Sequence, residues 1–166
     1  TPPLADWMAP PRMPSEELGD GVFLLPARYS AVVVDLGDHL AVIEAPQSEA
    51  RTLEIIAEAR RLVPGKPIRY VVNTHAHFDH SAGLRAFVAE GATIVTQATN
   101  VKFLADALAR PRTLRPDALA GAPRPVQFLP VEDTLTLRGG GREIVLQRLQ
   151  GVDRADGMLV AWLPQQ

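Results

Sequence analysis

Three of the chain's four histidines fall within six consecutive positions, in the stretch Asn73-Thr74-His75-Ala76-His77-Phe78-Asp79-His80-Ser81-Ala82-Gly83. Just before it, Ile68-Arg69-Tyr70-Val71-Val72 is a short β-branched run that reads as a buried strand. Side chains of an extended chain alternate, so His75 and His77 project to one side if the strand continues that far. Asp79 and His80 follow on the turn, and Ser81 starts an amphipathic segment. The cluster therefore falls at a strand-to-helix junction, where an open α/β sheet places its ligands. Imidazole and carboxylate together suit borderline divalent metals such as zinc, whose catalytic sites keep one position open for water. Iron and manganese suit the same donor mixture. The other reading of these residues is surface-loop histidines without a metal.

Composition narrows the classes. A chain of 166 residues with 46% hydrophobic side chains is one domain's worth of core. A formal charge of −2 with mixed signs gives no electrostatic case for nucleic acid or an acidic membrane as partner. No apolar run approaches the length of a membrane span. Without cysteine there is neither a disulfide nor a thiolate ligand or nucleophile. The chain begins at Thr1 rather than Met, which fits removal of a secretory signal peptide or trimming; the preferred expectation is export, periplasmic or secreted.

Residues 1–20 carry Pro2, Pro3, Pro10, Pro11 and Pro14 and lack both a helical and a strand period, so a surface arm is expected there, anchored by Trp7 and Met8. Residues 21–166 are expected to form the domain. Strands are read at 21–25, 30–36 and 40–45, the last two joined by the turn Gly37-Asp38-His39. His39 reads as solvated, and Glu44 as a structural hydrogen-bonding group rather than a catalytic acid. Ser48 is a good N-cap with Glu49 in the first turn, and an apolar stripe from Leu53 to Val63 ends at Pro64-Gly65. A short helix carrying Leu84, Phe87 and Val88 ends at Gly91; a strand at 92–96 and a helix at 97–108 follow. This alternation indicates βαβ connections with parallel neighbours. Residues 110–125 read as a proline-rich connection, or else as a loop whose Arg110, Arg112, Arg115 and Arg124 attract an anionic substrate. Further strands are expected at 126–129, 134–138, 143–149 and 158–163, with Gly139-Gly140-Gly141 as a turn.

H-x-H-x-D-H followed by two residues and Gly83 resembles the signature of the metallo-β-lactamase-fold hydrolases. Val32-Val33-Val34-Asp35, Ala41-Val42-Ile43-Glu44-Ala45-Pro46 and Asp156-Gly157-Met158-Leu159-Val160-Ala161 resemble that family's strands and turns. The resemblance implies a layered α/β fold, the αββα sandwich, of which this chain supplies about the first half. It implies His75 and His77 as ligands of one metal and Asp79 and His80 as ligands of a second, so one or two zinc ions. Asp79 would also orient the water that attacks the carbonyl of an ester, thioester, lactone or amide in a small-molecule substrate.

Two departures from the family pattern stand out. In Gly151-Val152-Asp153-Arg154-Ala155-Asp156-Gly157, Arg154 stands where many relatives carry a histidine ligand, and a guanidinium has no lone pair to give. Asp153 or Asp156 is then a candidate substitute ligand, or the first metal is weakly held, or Arg154 pairs with Asp79 and fills the place of the metal. The second departure is that family members continue past Pro164 into further ligands and the other half of the sandwich. A bare half-sandwich leaves apolar sheet face exposed, so a homodimer or a chain supplying the second half is expected to cover it. Against the hydrolase stands an alternative: a non-catalytic or metal-impaired half-domain that acts as an assembly or dimerisation module.

Overall fold

Two sheets lie face to face, one large and one small, with helices on the outer side of the large one. The computed structural model describes residues 14–151 and 156–164. The large sheet has seven strands in sequence order: β1 (Glu16–Gly19), β2 (Val22–Leu25), β3 (Ala31–Asp35), β4 (Leu40–Ile43), β5 (Ile68–Val72), β6 (Thr93–Gln97) and β7 (Phe128–Val131). From β1 to β4 the strands run antiparallel, and from β4 to β7 they run parallel. The parallel half is joined by helices, as the alternating pattern implied: α1 (Glu49–Leu62), then α2 (Phe78–Ser81) and α3 (Leu84–Ala89), then α4 (Asn100–Leu108) and α5 (Ala118–Gly121). The small sheet is β10–β9–β8, from β8 (Thr134–Gly139), β9 (Arg142–Arg148) and β10 (Leu159–Trp162).

Strand alternation sorts the core into two layers. Val33, Val42, Val71 and Ile94 are cross-strand neighbours, and all face the helices, meeting Ile55, Ile56, Leu84 and Phe87. Their successors Val34, Val72 and Val95, with Ala41, face the other way and pack on Leu137, Ile144, Leu146 and Leu159 of the small sheet. Both faces of the central strands are therefore buried, which is why they read as unbroken apolar runs.

This arrangement corrects the expectation of a bare sheet face. Val34, Ala41, Val72 and Val95 are fully buried, because β8–β10 already supply a second layer. Exposure falls instead on β10, where Val160 and Trp162 alternate with the inward-facing Leu159.

Several boundaries moved, each for a local reason. The end of the expected arm, Glu16–Gly19, is an exposed edge strand paired with β2; Trp7 and Met8 lie outside the described residues. Gln97 ends β6 rather than opening a helix, since its Oε1 accepts from Thr99 N (2.7 Å) and Thr99 Oγ1 (2.6 Å) and turns the chain before α4. β7 lies two residues later than expected and contains Pro130. It forms an edge of the sheet, where a missing N–H costs least. Within 110–125, Asp117 caps the one-turn helix α5 by accepting from Ala120 N at 3.0 Å.

Candidate metal centre

Strand β5 delivers the chain to the histidine cluster and then stops at Val72, so His75 and His77 are not held by strand alternation. His77 instead precedes the first turn of α2, with extended backbone, and is exposed, whereas His75 is 3% exposed. The two rings nonetheless meet edge to face, their centroids 4.8 Å apart. His80 also packs on His75, its ring centroid 4.1 Å away at a tilt of 45°. Asp79 Oδ2 lies 3.6 Å from His80 Nε2. The four residues picked out in the sequence are thus side by side in the fold.

Backbone hydrogen bonds hold this turn onto the end of β4. Ala45 N donates to His80 O (3.3 Å), Gln47 N to Asp79 O (3.2 Å), and Gly83 N to Ala45 O (3.0 Å). Ser81 Oγ donates back to His77 O at 2.9 Å. Gly83 is needed by packing: a Cβ there would sit 1.7 Å from Oγ1 of the buried Thr52 on α1. The glycine that ends the sequence signature is where α1 presses against the turn.

Two neighbours orient the imidazoles. Glu44 Oε2 accepts from His80 Nδ1 at 3.1 Å, while its Oε1 accepts from Thr74 N at 3.3 Å. Thr74 Oγ1 lies 3.1 Å from His75 Nδ1. Glu44 reaches both targets from a left-handed backbone (φ 80°), a conformation that costs a non-glycine residue about 1–3 kcal/mol. Its reading as a structural hydrogen-bonding group stands, with one addition: what it holds is a candidate ligand. A carboxylate on the far nitrogen of an imidazole fixes the tautomer and raises ring basicity, the usual support of a metal-binding histidine. The twist that turns Glu44 inward has no signature in the sequence.

These donors fit a divalent cation in kind: imidazole and carboxylate, with orienting contacts in place. Their atoms are not gathered on one point, however. Among the described residues no group of three or more His, Cys, Asp or Glu is arranged to hold a metal ion. The rings of His75 and His80 pack against each other, tilted by 45°.

Of the two candidate substitute ligands, Asp156 is an exposed turn residue, while Asp153, like Arg154, lies outside the described residues. The turn's far end is nevertheless tied to the cluster, since Leu159 N donates to Thr74 O at 2.8 Å. His39 needs correction. It is 3% exposed rather than solvated, its Nδ1 2.6 Å from Asp38 Oδ1 and its ring edge-on to Tyr70. It lies in the β3–β4 turn, at the opposite end of β4 from Glu44. Arg85, one of α3's buried residues, went unnoticed in the sequence. It forks onto the Asp117 carboxylate and donates to Leu108 O, pinning the 110–125 connection to the helix layer. Arg112 and Arg115 flank a cleft of about 400 Å³ beside them, which also reaches Ala82.

A two-sheet sandwich with its histidines at the strand ends defines a class, and comparison with known proteins gives the family. The model of the metallo-β-lactamase superfamily matches residues 26–147, and the chain belongs to that superfamily. Among solved structures it is similar to a metallo-β-lactamase from Cronobacter sakazakii, with 20% identity and a TM-score of 0.70, over 92% of this chain and 55% of that one. It is equally similar to a subclass B3 metallo-β-lactamase from a soil metagenome library (20% identity, TM-score 0.70, over 95% and 59% of the two chains). A linear primary-alkylsulfatase from a Pseudomonas species is 33% identical over 58 residues, which is 35% of this chain and 11% of that protein. The chain thus spans a little over half the length of those two solved relatives.

Proposed function

We propose that the chain carries the metal-binding half of a metal-dependent hydrolase, with zinc as its metal. Superfamily membership supports hydrolysis in general, and the observation that carries the site is the His75–His77–His80 cluster with Glu44 fixed on His80. His75 and His77 are the proposed ligands of one ion, and Asp79 and His80 of a second. Bound there, a divalent cation supplies Lewis acidity and lowers the pKa of water toward neutrality. The chain's own part is to hold His80 in one tautomer through Glu44, to orient the His75 ring through Thr74, and to offer Asp79 to orient a water. The ester, thioester, lactone or amide carbonyl is the proposed target. The alkylsulfatase relative adds an alkyl sulfate to the substrates worth assaying.

The test is hydrolysis of a generic aryl ester and an alkyl sulfate by the purified chain, with and without chelator, beside His77→Ala. Turnover lost with chelator and in the variant supports the proposal; turnover indifferent to both contradicts it.

A second reading, assembly without catalysis, draws on one observation. Val160 is 42% and Trp162 63% exposed on the outer side of the small sheet. A second copy is the proposed cover, and a monomer in sedimentation at micromolar concentration would contradict it.

A further inference from the structure

Beneath the histidine turn lies a line of buried polar side chains that no step above uses. Asn73 and Thr96 are fully buried, and Asn100 is 9% exposed. They come from three elements: the exit of β5, strand β6 and the first residue of α4. Asn100 Nδ2 donates to Thr96 Oγ1 (3.2 Å), Thr96 Oγ1 donates to Asn73 Oδ1 (3.4 Å), and Asn73 Nδ2 donates to His80 O (3.1 Å). The other proton of the Asn100 amide goes to Gly157 O at 2.7 Å.

Proton accounting makes the line directional. Thr96 has one hydroxyl proton, spent on Asn73, so its lone pair must take the proton offered by Asn100. Each amide can face only one way, since a flipped Asn73 would set an oxygen against the His80 carbonyl. Reversing one member leaves a buried donor or acceptor unmade, which costs more than a hydrogen bond gains. An apolar trio would fill the same space without that constraint, but it would leave the His80 carbonyl held by the longer Ala45 N–H contact (3.3 Å) alone. At its far end the line excludes a side chain: a Cβ on Gly157 would lie 2.4 Å from Asn100 Oδ1.

We propose that Asn73, Thr96 and Asn100 form a positioning relay for His80, an inference that rests on the metal-centre reading above. Glu44 fixes the imidazole from one side and the relay fixes the backbone from the other. Together they set the direction in which Nε2 points. The relay also ties that direction to Gly157, at the end of the turn that carries Asp156.

Thr96 offers a paired test. Thr96→Val keeps the volume and removes the hydroxyl; Thr96→Ser keeps the hydroxyl and removes the methyl. Cobalt(II) binding to the whole chain is followed by visible absorbance and chelator competition, with melting of the metal-free protein as control. The relay predicts wild-type affinity for Thr96→Ser. For Thr96→Val it predicts at least about tenfold weaker binding and an altered cobalt spectrum, the scale seen when outer-shell partners are removed. If Thr96→Val does not fold, Asn100→Asp, which when ionised has no donor for Thr96 or Gly157, takes its place with the same expectation. Cobalt bound as tightly by the donor-lacking variant as by wild type overturns the relay. So does a loss in Thr96→Ser as large as that in Thr96→Val, which would make the methyl the cause. Failure of the wild-type chain to take up cobalt overturns the metal-centre reading itself, and the relay with it.

Discussion

Glu44 and His80, 36 residues apart in the chain, meet with Oε2 3.1 Å from Nδ1, and the same carboxylate takes the backbone N–H of Thr74 at 3.3 Å. One side chain at the end of β4 thus grips the histidine turn at both its entrance and its exit. Glu44→Gln keeps the shape and removes the charge that supports the imidazole. Zinc affinity measured by chelator competition should fall about 10-fold or more, with the protein still folded. Unchanged affinity would mean that the contact is a latch for the turn and nothing more.

Gly83 allows α1 to press on the turn, and the buried Thr52 is what a methyl would strike. Gly83→Ala should destabilise the fold by about 1–3 kcal/mol, the range for overpacking a filled core. Pairing it with Thr52→Ala should recover part of the loss, because the obstructing hydroxyl is then gone. Denaturant midpoints of the two single variants and the double variant decide this, and a Gly83→Ala midpoint equal to wild type would refute the packing account.

Arg85 and Asp117 form a forked ion pair with both side chains about 10% exposed. The Arg85 hydrogen bond holds the Asp117 carboxyl below its ordinary value of 3.8; burial opposes the shift, and the Ala120 N–H adds to it. A carboxylate depressed on folding stabilises the native state above its unfolded pKa, and the gain disappears as pH falls through the folded pKa. Wild type should therefore exceed Asp117→Asn in stability near neutral pH, by about 1.5–3 kcal/mol for a hydrogen bond to a charged group. Below pH 3.8 the gap should close progressively. Melting curves from pH 7 downward test this, and a gap that stays constant into acid would contradict it.

The sheet was legible where strands run apolar on both faces, as in Val32-Val33-Val34 and Val71-Val72, because burial from two sides leaves an unbroken run. Capping made α1 equally plain, since Ser48 does accept from Arg51 N. His75, His77, Asp79 and His80 were legible as a group because their spacing is local. Contacts made at long range were not. The backbone twist that aims Glu44 at His80, the buried place of His39 and the Arg85–Asp117 fork depend on which loops meet after folding. The second layer was underestimated for the same reason. Nothing in Thr134-Leu135-Thr136-Leu137 announces which sheet its leucines will cover.

The hydrolase proposal stands on a divalent metal bound at the junction after β5. Elemental analysis of the purified chain after dialysis against trace zinc, with His75→Ala alongside, reads this binding without any assumption about substrate. Close to one or two metals per wild-type chain are expected, with a marked loss in the variant. A wild-type chain that retains no metal would contradict the proposal, and would leave the histidine cluster as a packed feature of the turn.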